Sequence, residues 1–408
     1  MTVQQSVARR GALTSTVVPV VAYSVIYTLT YLIPNLLPLF TGVVIDVAGF
    51  GAAQSGWVAT AFLGSMTIAA LASAFLVTRI APVTVALAGL LVQLVGYGLP
   101  FLFEGAGAVV FAMSVVGFGV GALFAVANAS AAQEKRPALI YGAGIVLSNV
   151  ACAFVPDPLY RAVDQFGVPG MFLIPLAIAP FALVSLRVIA NKPVPPATTP
   201  EPSEGKRPPR MRLGGPAIAL LAAIALTNIF NLAYYNFADR LLVAAGFGSD
   251  RIAGIFTAVF FSAAVFGGIA CAMSAVPRWL TVGLLVATAL LAVVIVIAIA
   301  TDSQTVLLAS ACAQGGVSML VISVQLAVAA QIDPTGRVAA VASGVLFASW
   351  TVGPSLGGEV LEISGFEGIS HIAVVLGLVS TALLAFVHRR TRQSGAVVAP
   401  DAVAVDGV

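Results

Sequence analysis

NKPVPPATTPEPSEGKRPPRMRLGG, residues 191–215, is the stretch on which the reading of this chain turns. Prolines and charges crowd it, and no run of about 20 apolar residues, the length needed to cross a bilayer as a helix, fits over it. It reads as a water-exposed linker of extended, mobile character. Outward from it in both directions the chain changes in kind. Long apolar runs follow one another, separated by short breaks of glycine, proline and charge. Of the 408 residues 60% are hydrophobic and 9% charged, where a soluble domain carries about 25% charged residues. The mean hydropathy is +1.06. So few polar side chains cannot cover a core of that size, so lipid must be the solvent. In lipid every backbone N–H and C=O needs a partner within the protein, which leaves helices or closed barrels. The runs lack the alternation of a barrel strand, so the chain is expected to be an all-α membrane protein.

Apolar length and the breaks place twelve transmembrane helices at 15–43, 53–78, 82–103, 107–131, 138–156, 169–190, 215–244, 252–276, 279–300, 305–330, 338–363 and 370–388. Six precede the linker and six follow it. The expected division is a six-helix bundle over 1–190, a cytoplasmic linker over 191–214, a second six-helix bundle over 215–392 and a disordered tail over 393–408. The first apolar run continues through Tyr31 and Pro38, longer than the core of a cleaved signal peptide, and reads as a span. With this placement sixteen of the 19 lysines and arginines fall on the side of the termini; only Arg161, Arg240 and Arg251 fall on the other. Basic loops stay in the cytoplasm, so both termini are expected there.

Several functions are disfavoured. The net charge of +3 is spread over short loops, without the basic face a nucleic-acid module needs. Cys152, Cys271 and Cys312 lie inside apolar runs without metal-ligand spacing. There is no H-E-x-x-H, no paired aspartates, no Gly-Lys-Ser/Thr phosphate loop and only two histidines. No cofactor, no metal and no enzymatic activity are expected.

Polar side chains inside apolar helices are costly, so they mark places that do not face lipid. In TNIFNLAYYNFADR, residues 227–240, Asn228, Asn231, Tyr235 and Asp239 fall within one narrow stripe at about 100° per residue. Gln314, Ser318 and Gln325 share a face of the tenth helix. Tyr27 and Thr30 align in the first, and Trp350 shares a face with Pro354 in the eleventh. Tyr27, Thr30, Asn228, Asn231, Tyr235, Gln314, Gln325 and Trp350 are the candidate substrate-binding residues. Asp239 is the candidate proton-coupling carboxylate; an ion pair with Arg240 or Arg251 is the alternative. Asn128 and Asn149 are read as pairing with each other, and Glu359, Glu362 and Glu367 as a solvated rim.

The two halves carry a weak repeat. G-W-V-A-T-A-F begins at Gly56, and Arg79 follows 23 residues later; G-I-F-T-A-V-F begins at Gly254, and Arg278 follows 24 later. Two six-helix halves, a basic central loop and an arginine between the second and third helices of each half together resemble the major facilitator superfamily. The family's loop motif survives only as Arg79 and Arg278, with Thr78 and Pro277 where its aspartate would stand. Gly117, Gly119 and Gly121 resemble its glycine-rich fourth helix, with Met113 at the place of an arginine linked to proton transport. Gly353, Pro354, Gly357 and Gly358 resemble the G-P-x-x-G-G signature of drug–proton antiporters, though here on the eleventh helix rather than the fifth. Arg79, Arg278 and these four residues are the candidate gating positions. The resemblance implies two pseudo-symmetric bundles and a secondary active transporter working by alternating access. It points to a monomer in a bacterial cytoplasmic membrane that exports a drug-like compound or metabolite in exchange for protons. Proton-coupled uptake of a small organic acid or nutrient is the alternative.

Overall fold

The computed structural model describes residues 3–134, 137–188, 214–274, 277–333 and 337–393, with side chains over 17–134, 140–187, 214–270, 279–333 and 338–392. The expected linker up to residue 213, the tail beyond Gln393 and the side chain of Arg278 lie outside the described residues.

Regular structure among the described residues is helical throughout. The helices are α1 (Val3–Asp46), α2 (Ala52–Leu76), α3 (Pro82–Gly98), α4 (Ala106–Ala131), α5 (Pro137–Ala153), α6 (Pro156–Phe166) and α7 (Gly170–Ser185), then α8 (Gly215–Tyr235), α9 (Ala238–Ala244), α10 (Ser249–Ser274), α11 (Pro277–Ala300), α12 (Gln304–Ile332) and α13 (Arg337–Gln393). Proline opens α3, α5, α6 and α11, at a position whose N–H has no helical partner to lose.

Nine helices among the described residues are long and apolar enough to cross a membrane. A tenth crossing arises if the bent pair Ile140–Ala153 and Pro156–Phe166, 47° apart, counts as one. The stretch Val338–Arg392 counts once, yet its 55 residues would extend about 80 Å at roughly 1.5 Å per residue, against a hydrocarbon core of about 30 Å. Gly365 divides it with φ 63° and ψ −164°, a backbone that essentially only glycine adopts. The two spans expected at 338–363 and 370–388 therefore meet at one glycine, with no loop between them. The apolar α7 has only 16 residues.

Two other elements depart from expectation. The helix expected at 138–156 stops at Ala153, and Pro156 starts a second helix, α6, whose sequence is amphipathic. Leu159 and Val163 are buried, while Arg161 and Asp157 pair at 3.1 Å on the wet face. The helix expected at 215–244 breaks at Phe237 (φ −113°, ψ 12°), which separates α8 from α9.

Packing repeats between the halves. In the first, α2 packs on α4, α3 on α4 and α1 on α5; in the second, α10 packs on α12, α11 on α12 and α8 on α13. Across the halves α2 meets α13 and α5 meets α10. Exchanging α1 to α5 for α8, α10, α11, α12 and α13, in order, maps each of these pairings onto another. This is the contact pattern expected of two fused, related bundles.

Small residues permit the closest approaches, as they do where lipid offers helices no hydrophobic incentive to associate. A Cβ on Gly117 or Gly121 would sit 2.1 Å from α2 atoms. On Gly353 it would lie 2.5 Å from Leu232 Cβ, and on Gly357 2.4 Å from the Ala233 oxygen, both on α8. Gly358 faces the other way: its Cβ would lie 2.6 Å from the Ala52 oxygen of α2, and one on Gly56 would lie 2.4 Å from the Pro354 oxygen. The Gly353–Gly358 segment thus seats α13 on its own half and on the opposite half at once. Large apolar side chains such as Phe75, Leu91 and Val265 stand exposed on the perimeter, where acyl chains would cover them.

The turns after α1, α3, α9 and α11 lie at one end of the bundle, here the Asp46 end. Those after α2, α4, α10 and α12 lie at the other, the Thr78 end.

Candidate functional site

A cavity of about 590 Å³ opens between the halves, walled by α1, α4 and α5 on one side and by α8, α10, α12 and α13 on the other. That is the volume of a pocket for a drug-sized molecule. Of the residues expected to bind substrate, Asn231, Tyr235 and Trp350 line it, and so does Ser318. Tyr27, Thr30, Asn228, Gln314 and Gln325 do not; they lie buried behind the wall.

These buried residues hold the wall in place. The Trp350 indole N–H donates to Asn228 Oδ1 at 3.1 Å, and Asn228 Nδ2 donates to Gln325 Oε1 at 3.0 Å. Gln314 Nε2 donates to Asn231 Oδ1 at 2.8 Å. Amides buried in an apolar bundle need such partners, and the pairing fixes the rotamers of the two residues in front. On the opposite wall the Tyr27 hydroxyl donates to Asn128 Oδ1 at 3.0 Å, and the Tyr141 hydroxyl donates to the Asn128 carbonyl at 2.7 Å. Thr30 bonds only the Tyr27 carbonyl of its own helix, at 3.0 Å. Asn128 and Asn149 do not pair with each other. Asn128 serves Tyr27, while Asn149 Nδ2 bonds the Ile145 carbonyl at 2.9 Å and its Oδ1 accepts from Asn35 Nδ2 at 3.5 Å.

Sequence reasoning missed a run of aromatic rings. Trp350 and Phe347 meet edge to face at 5.5 Å, Phe347 and Phe124 at 5.2 Å, and Phe124 and Tyr31 at 5.6 Å. The run crosses from α13 to α4 and α1, so both halves share one aromatic wall. Tyr31 and Asn35 continue the Tyr27 face at i+4 and i+8, a signal that could have found them. Phe124 and Phe347 look like any core phenylalanine. Among the described residues no aspartate, glutamate, lysine, arginine or histidine lines the cavity.

The charged groups gather instead at the Asp46 end. Asp239 is fully buried. Its Oδ1 accepts from the Tyr160 hydroxyl at 3.0 Å, and its Oδ2 accepts from Arg240 Nε at 2.9 Å and from Arg240 Nη2. Arg240 also donates to both oxygens of Asp46, at 2.6 and 2.8 Å. Asp46 and Tyr160 belong to the first half, Asp239 and Arg240 to the second. Gly42 makes room for the pair, since a Cβ there would lie 2.1 Å from Asp239 Oδ2. Further bonds cross nearby. Thr41 donates to Asn236 Oδ1 at 3.1 Å, Tyr235 to the Asn35 carbonyl, and Trp57 Nε1 to Glu359 Oε1 at 3.1 Å. Glu362 accepts from Ala53 N at 3.0 Å, a carboxylate of one half on the helix N-terminus of the other. Glu359 and Glu362 are exposed, as a solvated rim would be, and bond across the halves as well.

Between described residues, no cross-half hydrogen bond lies nearer the Thr78 end than Thr67, which approaches the Thr351 hydroxyl at 3.4 Å in mid-span. The cavity runs toward that end past Asn128, Tyr141 and Ser343, each within a few residues of a helix terminus there. Arg79, on the same end, is exposed and in no ion pair among the described residues. No group of three or more His, Cys, Asp or Glu among the described residues could hold a metal ion.

No protein-family model and no curated protein matches the sequence. Solved structures do match. The crystal structure of the human organic anion transporter MFSD10 (TETRAN) aligns over 90% of this chain and 98% of its own, with 16% identity and a TM-score of 0.64. A bacterial homolog of the human lysosomal transporter Spinster, inward-facing and occupied, aligns over 91% and 96%, with 16% identity and a TM-score of 0.68. Its inward-facing unoccupied form aligns over 94% and 98%, with 15% identity and a TM-score of 0.65. The chain has the major facilitator superfamily fold. Within that fold α2 and α13, with α5 and α10, form the seam between the halves, and the cavity lies inside it. The neighbours are transporters, and the alignments run over nearly their whole length.

Proposed function

We propose that the chain is a secondary transporter of a small organic molecule, with twelve crossings, working by alternating access in a bacterial cytoplasmic membrane. The twelve take α5 with α6 as one span, α7 as one, α8 with α9 as one, and the two arms of α13 around Gly365 as two. The division into bundles at 1–190 and 215–392, with the linker and tail cytoplasmic, goes with this count and with the basic loops. The observation that carries the reading is a cavity walled by both halves, bonded shut at the Asp46 end, while the hydrogen bonds between described residues of the two halves reach no nearer the Thr78 end than Thr67. This is an inward-facing carrier; rocking the halves would break the Asp46-end bonds and expose the same cavity outside.

Export is the direction we favour. The cavity is apolar and aromatic, suited to a compound that partitions from the cytoplasmic leaflet. The organic anion named for MFSD10 meets no countercharge among the described residues, since no lysine, arginine or histidine of these lines the cavity; the same point counts against uptake of an organic acid. Proton coupling falls to Asp239. A proton arriving there from outside removes the buried charge that holds Arg240, leaving only the pair with Asp46, whose side chain is 58% exposed. Arg240 is then held by Asp46 alone, so the charge on Asp239 sets how firmly this end is closed. Counterflow in proteoliposomes tests this reading. Substrate exchange that responds to an imposed inward proton gradient is expected, and exchange indifferent to the gradient would remove the coupling.

A further inference from the structure

We propose that the cavity selects uncharged, ring-bearing molecules that carry a carboxamide or ketone, and rejects carboxylates of the same shape. This rests on the carrier reading and narrows it to a substrate class.

Two features of the wall decide the chemistry. Tyr31, Phe124, Phe347 and Trp350 form a continuous aromatic surface shared by both halves, against which a flat ring system packs by offset or edge contacts. Most polar groups of the lining are already committed to protein partners. The Tyr31 hydroxyl and Asn231 Nδ2 are not: both line the cavity, and neither makes a hydrogen bond to another described residue. Two neutral donors on lining residues are thus left without a partner among the described residues, with Asn35 Oδ1 as an acceptor whose amide gives only its N–H to the protein. A carboxamide satisfies this set, its carbonyl taking the donors and its N–H reaching the acceptor. A carboxylate meets the donors but also faces the Asn35 oxygen, and among the described lining residues it finds no cation to replace the water it gives up.

The donors matter because of what they leave unpaired. A site whose polar groups face an empty or apolar ligand discriminates strongly against it, more than a hydrophobic wall discriminates between shapes. Asn231 is held by Gln314 and so presents Nδ2 in a fixed direction, whereas Tyr31 can be altered without disturbing any other bond.

The test uses full-length protein in lipid nanodiscs, with empty nanodiscs subtracted, and three probes of one shape: naphthalene, 2-naphthamide and 2-naphthoate. Naphthamide should bind most tightly, with naphthoate at least about 100-fold weaker. Tyr31→Phe, which removes only an unpartnered hydroxyl, should weaken naphthamide about three- to tenfold and leave naphthalene unchanged. Naphthoate binding as tightly as naphthamide would overturn the proposal, as would a Tyr31→Phe variant that binds naphthamide normally. Failure of all three to bind while counterflow of another solute persists would also overturn it and leave the carrier reading standing; loss of both would remove the carrier reading as well.

Discussion

Arg240→Ala should throw the Asp46 end open. In the closed arrangement Asp239 is fully buried and Arg240 is its cation. Removing one partner of a buried ion pair costs about 3–5 kcal/mol, because the remaining charge is stranded away from water. Opening relieves that cost by wetting Asp239, so the penalty falls on the closed state alone. The closed-to-open ratio should drop by roughly two to three orders of magnitude. Cysteine labelling from outside reads this directly: a cysteine at Leu37, a cavity residue one turn below Thr41, should react with a membrane-impermeant thiol reagent far faster in the Arg240→Ala background. Unchanged labelling in a variant that inserts normally would show that the Asp239–Arg240–Asp46 cluster is not what shuts this end.

Asp239→Asn should separate movement from coupling. The amide keeps one oxygen, which can accept from Arg240, and its Nδ2 can donate to the Tyr160 hydroxyl, but it cannot take up or lose the proton that sets the gate. Arg240 stays paired with Asp46, so the protein should insert and stay folded. Counterflow down a substrate gradient should persist, while the response to an imposed pH gradient should vanish. A variant that still concentrates substrate in proportion to the proton gradient would place coupling elsewhere in the chain.

The sequence named Asp239 as the coupling carboxylate and Arg240 as its alternative ion-pair partner, and both enter these two predictions. The stripe through Asn228, Asn231, Tyr235 and Asp239 is real as helix geometry, but it spans three environments. Asn231 and Tyr235 face the cavity. Asn228 stands behind Trp350. Asp239 lies beyond the Phe237 break and points into the closed end. Periodicity finds residues that avoid lipid; it does not tell a lumen from a helix seam, since both are polar relative to acyl chains. The same holds for Gln314 and Gln325, whose work is to pair with the wall amides. The bundle itself was far more legible. A mean hydropathy of +1.06 and sided basic loops are bulk properties that side-chain detail cannot blur. Gly353, Gly357 and Gly358 stood out as a motif, and the structure gives their physical content: three glycines by which one helix touches both halves. What the sequence could not give was the partnership of distant residues. Asp46 pairs with Arg240 across 194 positions, and the aromatic wall joins Tyr31 to Trp350 through rings that look ordinary on their own helices.

The central claim is that one cavity between two halves opens at either end in turn. Distances between spin labels measure it most directly, with one pair at Val47 and Val243, exposed at the Asp46 end, and one at Ala132 and Ala330, exposed at the Thr78 end. The account predicts two distance populations for each pair, the first pair lengthening as the second shortens, with Arg240→Ala driving both shifts together. Single, unmoving distances at both ends, or two pairs that lengthen together, would contradict it.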